Sequence, residues 1–267
     1  MAALVTVSRR HRRPHPPRAR ASGAASAVAS SVTHAATRGR FGAVDGLRGF
    51  AICLMVVYHF AFDLAWFRVI RADFNNDILW LGARAVIVTL FLGLVGVSLV
   101  LARRAHPGTR PFWRRVMLIT GCAVLVSIAS YLTFPQTFIT FGILHCIALS
   151  SVLSRPLVAF PRVALMAGIA IVALGATVHL PLFDTPWLNW IGMMTHKPPT
   201  EDYVPLFPWL GVVLIGVALG HALVRQQRSL GTAGRLTPGW LAWLGRHSLL
   251  IYLVHQPILV GVLRVVT

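Results

Sequence analysis

The sequence predicts an all-α fold, a polytopic membrane helix bundle with about seven transmembrane helices, and three observations carry that prediction. Of 267 residues, 56% are hydrophobic and only 12% charged, and the mean hydropathy is +0.71; soluble domains carry about 25% charged residues. Apolar runs of roughly 20 residues recur along the chain, the length needed to cross a bilayer as a helix, without the alternating pattern of a membrane β-barrel. The basic residues are concentrated in alternate connections, as topology determinants are.

Residues 1–40 are rich in Arg, Ala, Ser, Pro and His and show no apolar periodicity. They predict a disordered basic tail, and they lack the apolar central region of a secretory signal. The domain is expected over 41–267. Its spans fall near 47–67, 78–102, 114–134, 138–154, 157–180, 204–224 and 247–266, the fourth being short. The first outer connection carries Asp73, Asn75, Asn76 and Asp77. The longest connection, 181–203, ends Pro198-Pro199-Thr200-Glu201-Asp202-Tyr203, and loops of that length often serve as lids or binding loops.

The formal charge of +18 invites a nucleic-acid reading, but its distribution excludes one. Apart from the tail, the arginines cluster in the second connection (Arg103, Arg104, Arg110, Arg114, Arg115), the fourth (Arg155, Arg162) and the sixth (Arg225, Arg228, Arg235, Arg246). The opposite side has Arg68, Arg71, Lys197 and Arg264, together with Asp73, Asp77, Asp184, Glu201 and Asp202. The positive-inside rule then puts the N-terminus in the cytoplasm and the C-terminus in the periplasm of a bacterial inner membrane. A near-total preference for Arg over Lys, with Lys197 the single lysine, fits a GC-rich bacterial genome. Tryptophans near the expected span ends match an interfacial belt. Cys53, Cys122 and Cys146 are dispersed within spans, so neither a disulfide framework nor a metal site is expected. The lipid bilayer is the expected partner, and a homo-oligomer is left open.

The first span contains ionisable groups. Asp45, Arg48, His59 and Asp63 share one helical face: at about 100° per residue, the eleven steps from Arg48 to His59 return to within roughly 20° of the same side. Ionisable side chains in a lipid-spanning helix are costly unless they face a protein interior or a wet cavity. His59 and Asp63, four residues apart, suit a general base with an orienting carboxylate, although such a pair could also simply join two helices. Arg84 and His145, from the second and fourth spans, fall at depths comparable to His59. His255 and Gln256 lie deep in the last span before Pro257, where polar packing and substrate contact are equally consistent with the sequence. Arg114 and Arg115 could hold the phosphates of a nucleotide-bearing cofactor, or simply set topology.

Asp45-Gly-Leu-Arg48-Gly49-Phe-Ala, with His59 eleven residues after Arg48, resembles the first-helix signature of the transmembrane acyltransferase superfamily. Four further segments, in order, resemble the bacterial heparan-alpha-glucosaminide N-acetyltransferase catalytic-domain-like family. They are Phe91-Leu-Gly-Leu-Val-Gly96-Val-Ser98, Phe141-Gly142-Ile-Leu-His145, Tyr203-Val-Pro205-Leu-Phe-Pro208-Trp209-Leu-Gly211 and Gly245-Arg-His247-Ser248-Leu-Leu-Ile-Tyr252-Leu-Val-His255-Gln256-Pro257. The resemblance covers about 41–262. It implies an integral membrane acyltransferase that moves an acetyl or other acyl group from cytoplasmic acyl-CoA, the expected co-substrate, to a periplasmic sugar or glycan acceptor.

On that reading His59, Asp63, His145 and Arg84 are the catalytic candidates. Arg48, Arg114 and Arg115 are the candidates for cofactor binding, and Asp202, Trp209, His255 and Gln256 for substrate binding. The family's lysosomal enzyme resembles this pattern with its proposed catalytic His just after the first helix rather than at the position of His59. The rival reading is a transporter or flippase that uses the His/Asp/Arg stripe as a relay.

Overall fold

Helix is the regular structure of the described chain, and each helix ends where the sequence supplies a break. The structure is a computed structural model that describes residues 19–200, 202–226, 234 and 236–266, with side chains from Gly42 onward. Residues 1–38 and 39–267 form two units; the first part of the tail expected to be disordered, residues 1–18, lies outside the described residues. The helices are α1 (Ala19–Trp66), α2 (Ile78–Ala105), α3 (Thr109–Thr133), α4 (Ile143–Ser154), α5 (Pro161–Thr177), α6 (Leu206–Arg225), α7 (Gly239–Arg246) and α8 (Ser248–Val266). No strand occurs among the described residues.

Five of these segments are long and apolar enough to cross a membrane: Gly42–Trp66 of α1, α2, α3, α6 and α8. The fourth and fifth expected spans give the shorter apolar helices α4 and α5. At 1.5 Å per residue the 12 residues of α4 reach only about 18 Å, and the first five residues of its expected span, 138–142, are not helical. Residues 134–142 instead run as turns and extended chain.

Side chains from other elements satisfy the backbone of that irregular stretch. Thr200 Oγ1 donates to Phe138 O (3.0 Å), Ser127 Oγ to Ile139 O (2.6 Å), and Ile139 N–H to Ser130 Oγ (3.0 Å). Val204 N–H donates to Phe141 O (3.3 Å), and Asp202 Oδ2 accepts from Ile143 N–H (2.9 Å) at the start of α4. Non-helical backbone is tolerated at membrane depth where it is enclosed by protein in this way or lines a cavity.

The core lies between α2, α4, α5 and α6, around Leu92, Val100, Cys146, Val213, Leu214 and Val217. Helix backbones approach closely where glycine permits. A Cβ on Gly96 would stand 2.0 Å from Val213 O, and one on Gly216 2.3 Å from Gly93 O, so α2 and α6 meet through a small-residue seam. The second seam joins α1 to α7: a Cβ on Gly49 would stand 2.0 Å from Leu241 O, and one on Gly245 1.7 Å from Asp45 O. This seam brings α8, which follows α7 directly, alongside the polar stripe of α1.

The long connection is a folded element. Leu180 N–H donates to Met193 O (2.9 Å), and Asp184 accepts from Thr195 N–H (2.8 Å) and Thr195 Oγ1 (2.6 Å). The Thr195 hydroxyl, the largest influence, holds the Asp184 carboxyl below its ordinary range. In the first outer connection the Asn76 side chain does the same for Asp73.

Candidate functional site

The polar stripe of α1 borders a cavity of about 1170 Å³. Its walls are α1 (Tyr58, His59, Asp63), α2 (Arg84, Phe91), α3 (Ser130) and α8 (Tyr252, His255, Gln256), and it is bounded by Ile143 at the start of α4 and by Ile139, Lys197, Thr200 and Asp202 from the connections. Aromatic rings crowd the part near the α1–α2 connection: Phe74 stacks on Trp80 at 4.2 Å between centroids, and Tyr58 and Phe62 meet Phe74 edge-on. The volume lies just above the range usual for small-molecule sites.

Two contacts join α1 to α8 at its centre. The rings of His59 and His255 lie with centroids 5.0 Å apart at 60°, and Gln256 Nε2 donates to Asp63 Oδ1 (2.7 Å). His255 Nδ1 lies 2.7 Å from Tyr252 O. A carbonyl oxygen only accepts, so Nδ1 carries the hydrogen and Nε2 of the neutral ring is the basic nitrogen. His255 Nε2, Asp63 Oδ2 and Gln256 Oε1 are all buried without a hydrogen-bond partner in the protein. Orphaned buried polar atoms are rare and costly, and these three stand on neighbouring side chains.

Asp63 is thus held by Gln256, and no hydrogen bond joins it to His59 among the described residues. The structure does not assemble the expected His59–Asp63 dyad. Arg84 lines the cavity without a hydrogen bond or ion pair among the described residues. His145 is turned to structural use: Nδ1 accepts from Gly142 N–H (3.3 Å), leaving Nε2–H directed at Ser127 Oγ (3.4 Å). It is not among the cavity-lining residues. Asp202 lines the cavity and holds two elements together, accepting from Ile143 N–H and from the Tyr252 hydroxyl (3.3 Å). Trp209, in the first turn of α6, packs half-buried against the core and away from the cavity.

The arginine candidates lie elsewhere. Arg48 bonds Asp45 Oδ1 (3.0 Å) and Ser98 Oγ (2.8 Å), tying α1 to α2. Arg114 and Arg115 are exposed in the first turns of α3, and Arg115 lies within electrostatic reach of Arg48.

Two residues escaped the sequence reading. Tyr252 joins His255 and Gln256 on one face at i, i+3 and i+4, a spacing that could have revealed it. Arg155 stacks its guanidinium 4.2 Å from the Phe112 ring centroid, and its Nη1 and the neighbouring Ser154 Oγ are buried without partners. Its signal was the run Ser150, Ser151, Ser154, Arg155 closing an apolar helix.

The family model for the heparan-alpha-glucosaminide N-acetyltransferase catalytic domain matches residues 40–257. The chain belongs to that family. The match runs from just before the α1 stripe to Pro257, so it includes His59, Asp63, Arg84, Asp202, Tyr252, His255 and Gln256. Most of the cavity's lining residues therefore fall within the matched region of a membrane acetyltransferase family. No curated protein and no solved structure matches the chain.

Proposed function

We propose that the protein is an integral membrane acyltransferase that transfers an acetyl or related acyl group from acyl-CoA to a hydroxyl or amine of a sugar or glycan acceptor, with His59 and His255 as its reactive pair. The observation that carries this reading is the juxtaposed imidazoles in the cavity, one of them with its tautomer fixed and its Nε2 bare. Membership of an acetyltransferase family supports it independently.

In the proposed reaction an imidazole nitrogen takes the acceptor's proton as its oxygen or nitrogen attacks the thioester carbonyl. The resulting oxyanion collapses, the C–S bond breaks, and the coenzyme thiolate recovers the proton. Arg84, in the same cavity and within electrostatic reach of Asp202, is the group proposed to stabilise the oxyanion. Asp63 is a positioning group through Gln256, and the aromatic part of the cavity suits the flat faces of a sugar ring.

The donor is proposed to approach from the basic side. Arg114, Arg115 and Arg155 lie there, and Arg155 Nη1 and Ser154 Oγ are unpartnered. A cytoplasmic N-terminus, a periplasmic C-terminus and seven spans, with α4 and α5 completing the five long ones, are part of this reading and rest on the charge asymmetry. Acceptor and donor would then meet from opposite sides.

Purified protein in liposomes, given acetyl-CoA radiolabelled in the acetyl group and glucosamine as a probe acceptor, tests the reading. Label should pass to the acceptor, with thiol released, and His59→Ala should stop both. Movement of acceptor across the bilayer without thioester cleavage would overturn it in favour of transport.

A further inference from the structure

A second cavity, of about 460 Å³, lies at the other end of α6, between its last turns and the first turns of α5. Phe160, Arg162, Leu165, Ala218, His221 and Arg225 are among its lining residues. Its shape is fixed: His221 Nε2 donates to Val158 O (2.8 Å), fastening the 3-10 turn Pro156–Ala159 to α6.

Its charge is one-sided. Arg162 and Arg225 are exposed and make no hydrogen bond or ion pair among the described residues, and no carboxylate lines the cavity. Its walls are apolar, and Phe160, Val163 and Leu165 remain exposed there. The exposed side chains of Met166 and Ile169 continue that apolar surface along α5.

The geometry points to a binding site for one anionic phospholipid, its phosphate between Arg162 and Arg225 and an acyl chain along Val163, Leu165 and Ala218. A soluble anion would leave the apolar walls unused, and a zwitterionic lipid would leave the pair of arginines uncompensated. Basic pockets between membrane helices on the cytoplasmic side suit anionic headgroups, because that leaflet is negatively charged. By the charge asymmetry this end of the bundle is the cytoplasmic one. The site is separate from the polar cavity, at the opposite end of α6, and its occupation does not depend on the transferase reading.

Native mass spectrometry of the full chain in detergent tests it, with dioleoyl phosphatidylglycerol or dioleoyl phosphatidylcholine titrated in. The wild type should retain one phosphatidylglycerol in a saturable step and prefer it over phosphatidylcholine. The double substitution Arg162→Gln/Arg225→Gln should weaken that step by roughly thirtyfold. Ala218→Phe, which fills the groove and keeps both charges, should also abolish it. Arg103→Gln/Arg104→Gln, equal in charge change but outside the cavity, should leave it intact. Equal weakening by the two double substitutions would reduce the effect to general surface charge and overturn the site. Unchanged retention in both Arg162→Gln/Arg225→Gln and Ala218→Phe would overturn it too, as would displacement of the lipid by inorganic phosphate alone.

Discussion

The imidazole of His255 stands 5.0 Å, centroid to centroid, from that of His59, although 196 positions separate the two in sequence. The same two helical segments meet at the α1–α7 glycine seam, since α8 follows α7 directly. Gly245 lets α7 lie against the backbone of Asp45, and α8 leaves that contact directed along the α1 stripe. A mutation at the seam would therefore disturb the pair from a distance.

The bare Nε2 of His255 gives the first prediction. His255→Gln should lower kcat for acetyl transfer by roughly 10–100-fold, and His59→Ala by roughly 10²–10⁴-fold. Both variants should insert and melt near the wild type. The pH–rate profile of His255→Gln should lose one limb if the two rings share a proton. An unchanged profile with an unchanged rate would leave His255 a packing residue.

The second prediction concerns the α1–α8 hydrogen bond. Gln256→Ala strands Asp63 Oδ1 beside its already unpartnered Oδ2. A buried group deprived of its partner costs about 1–3 kcal/mol, more when charged. The melting temperature in detergent should fall, and Asp63→Asn in the Gln256→Ala background should recover part of the loss by removing the stranded charge. Additive losses in that double mutant would show that the bond does not couple the helices.

Much of the fold was legible because hydrophobic length is a local property. Five expected spans correspond to long apolar helices, and the other two expected segments contain α4 and α5. The non-helical first five residues of the fourth expected span, 138–142, were not legible. They depend on Thr200, Asp202 and Val204 donating to or accepting from residues about 60 positions away, and on Ser127 and Ser130 of the neighbouring helix. The site was half legible for the same reason. Helical periodicity put His59 and Asp63 on one face, but a shared face does not decide which neighbour a carboxylate bonds. Gln256, 193 positions away, holds Asp63 instead.

The long connection supplies a pH prediction. Hydrogen bonds from Thr195 hold the Asp184 carboxyl below its ordinary value of 3.8, so the folded loop binds this proton less readily than the unfolded one. The stabilisation is therefore present above the unfolded value and is lost as pH falls through the lower, folded value. Thr195→Val removes the hydroxyl donor and should move the onset of acid loosening upward. Hydrogen exchange at the Leu180 and Thr195 amides, followed from neutral pH into acid, would show the shift. Identical onset in both proteins would mean that the hydroxyl contact does not restrain the loop.

The last prediction separates His145 from the other two histidines. Its Nδ1 accepts from Gly142 N–H and its Nε2 faces Ser127 Oγ, so one ring nitrogen serves the irregular chain ahead of α4 and the other serves α3. Replacing it with Ala leaves the Gly142 N–H without its acceptor, at a cost of about 1–3 kcal/mol. His145→Asn offers a carbonyl oxygen and should recover part of that stability. Transfer per folded molecule should stay within a few-fold of the wild type in His145→Asn, with the loss appearing in melting temperature and in the yield of inserted protein. This pattern contrasts with His59→Ala, where turnover falls and stability holds. A large fall in kcat for His145→Asn at unchanged melting temperature would contradict the structural role and place this imidazole in the reaction.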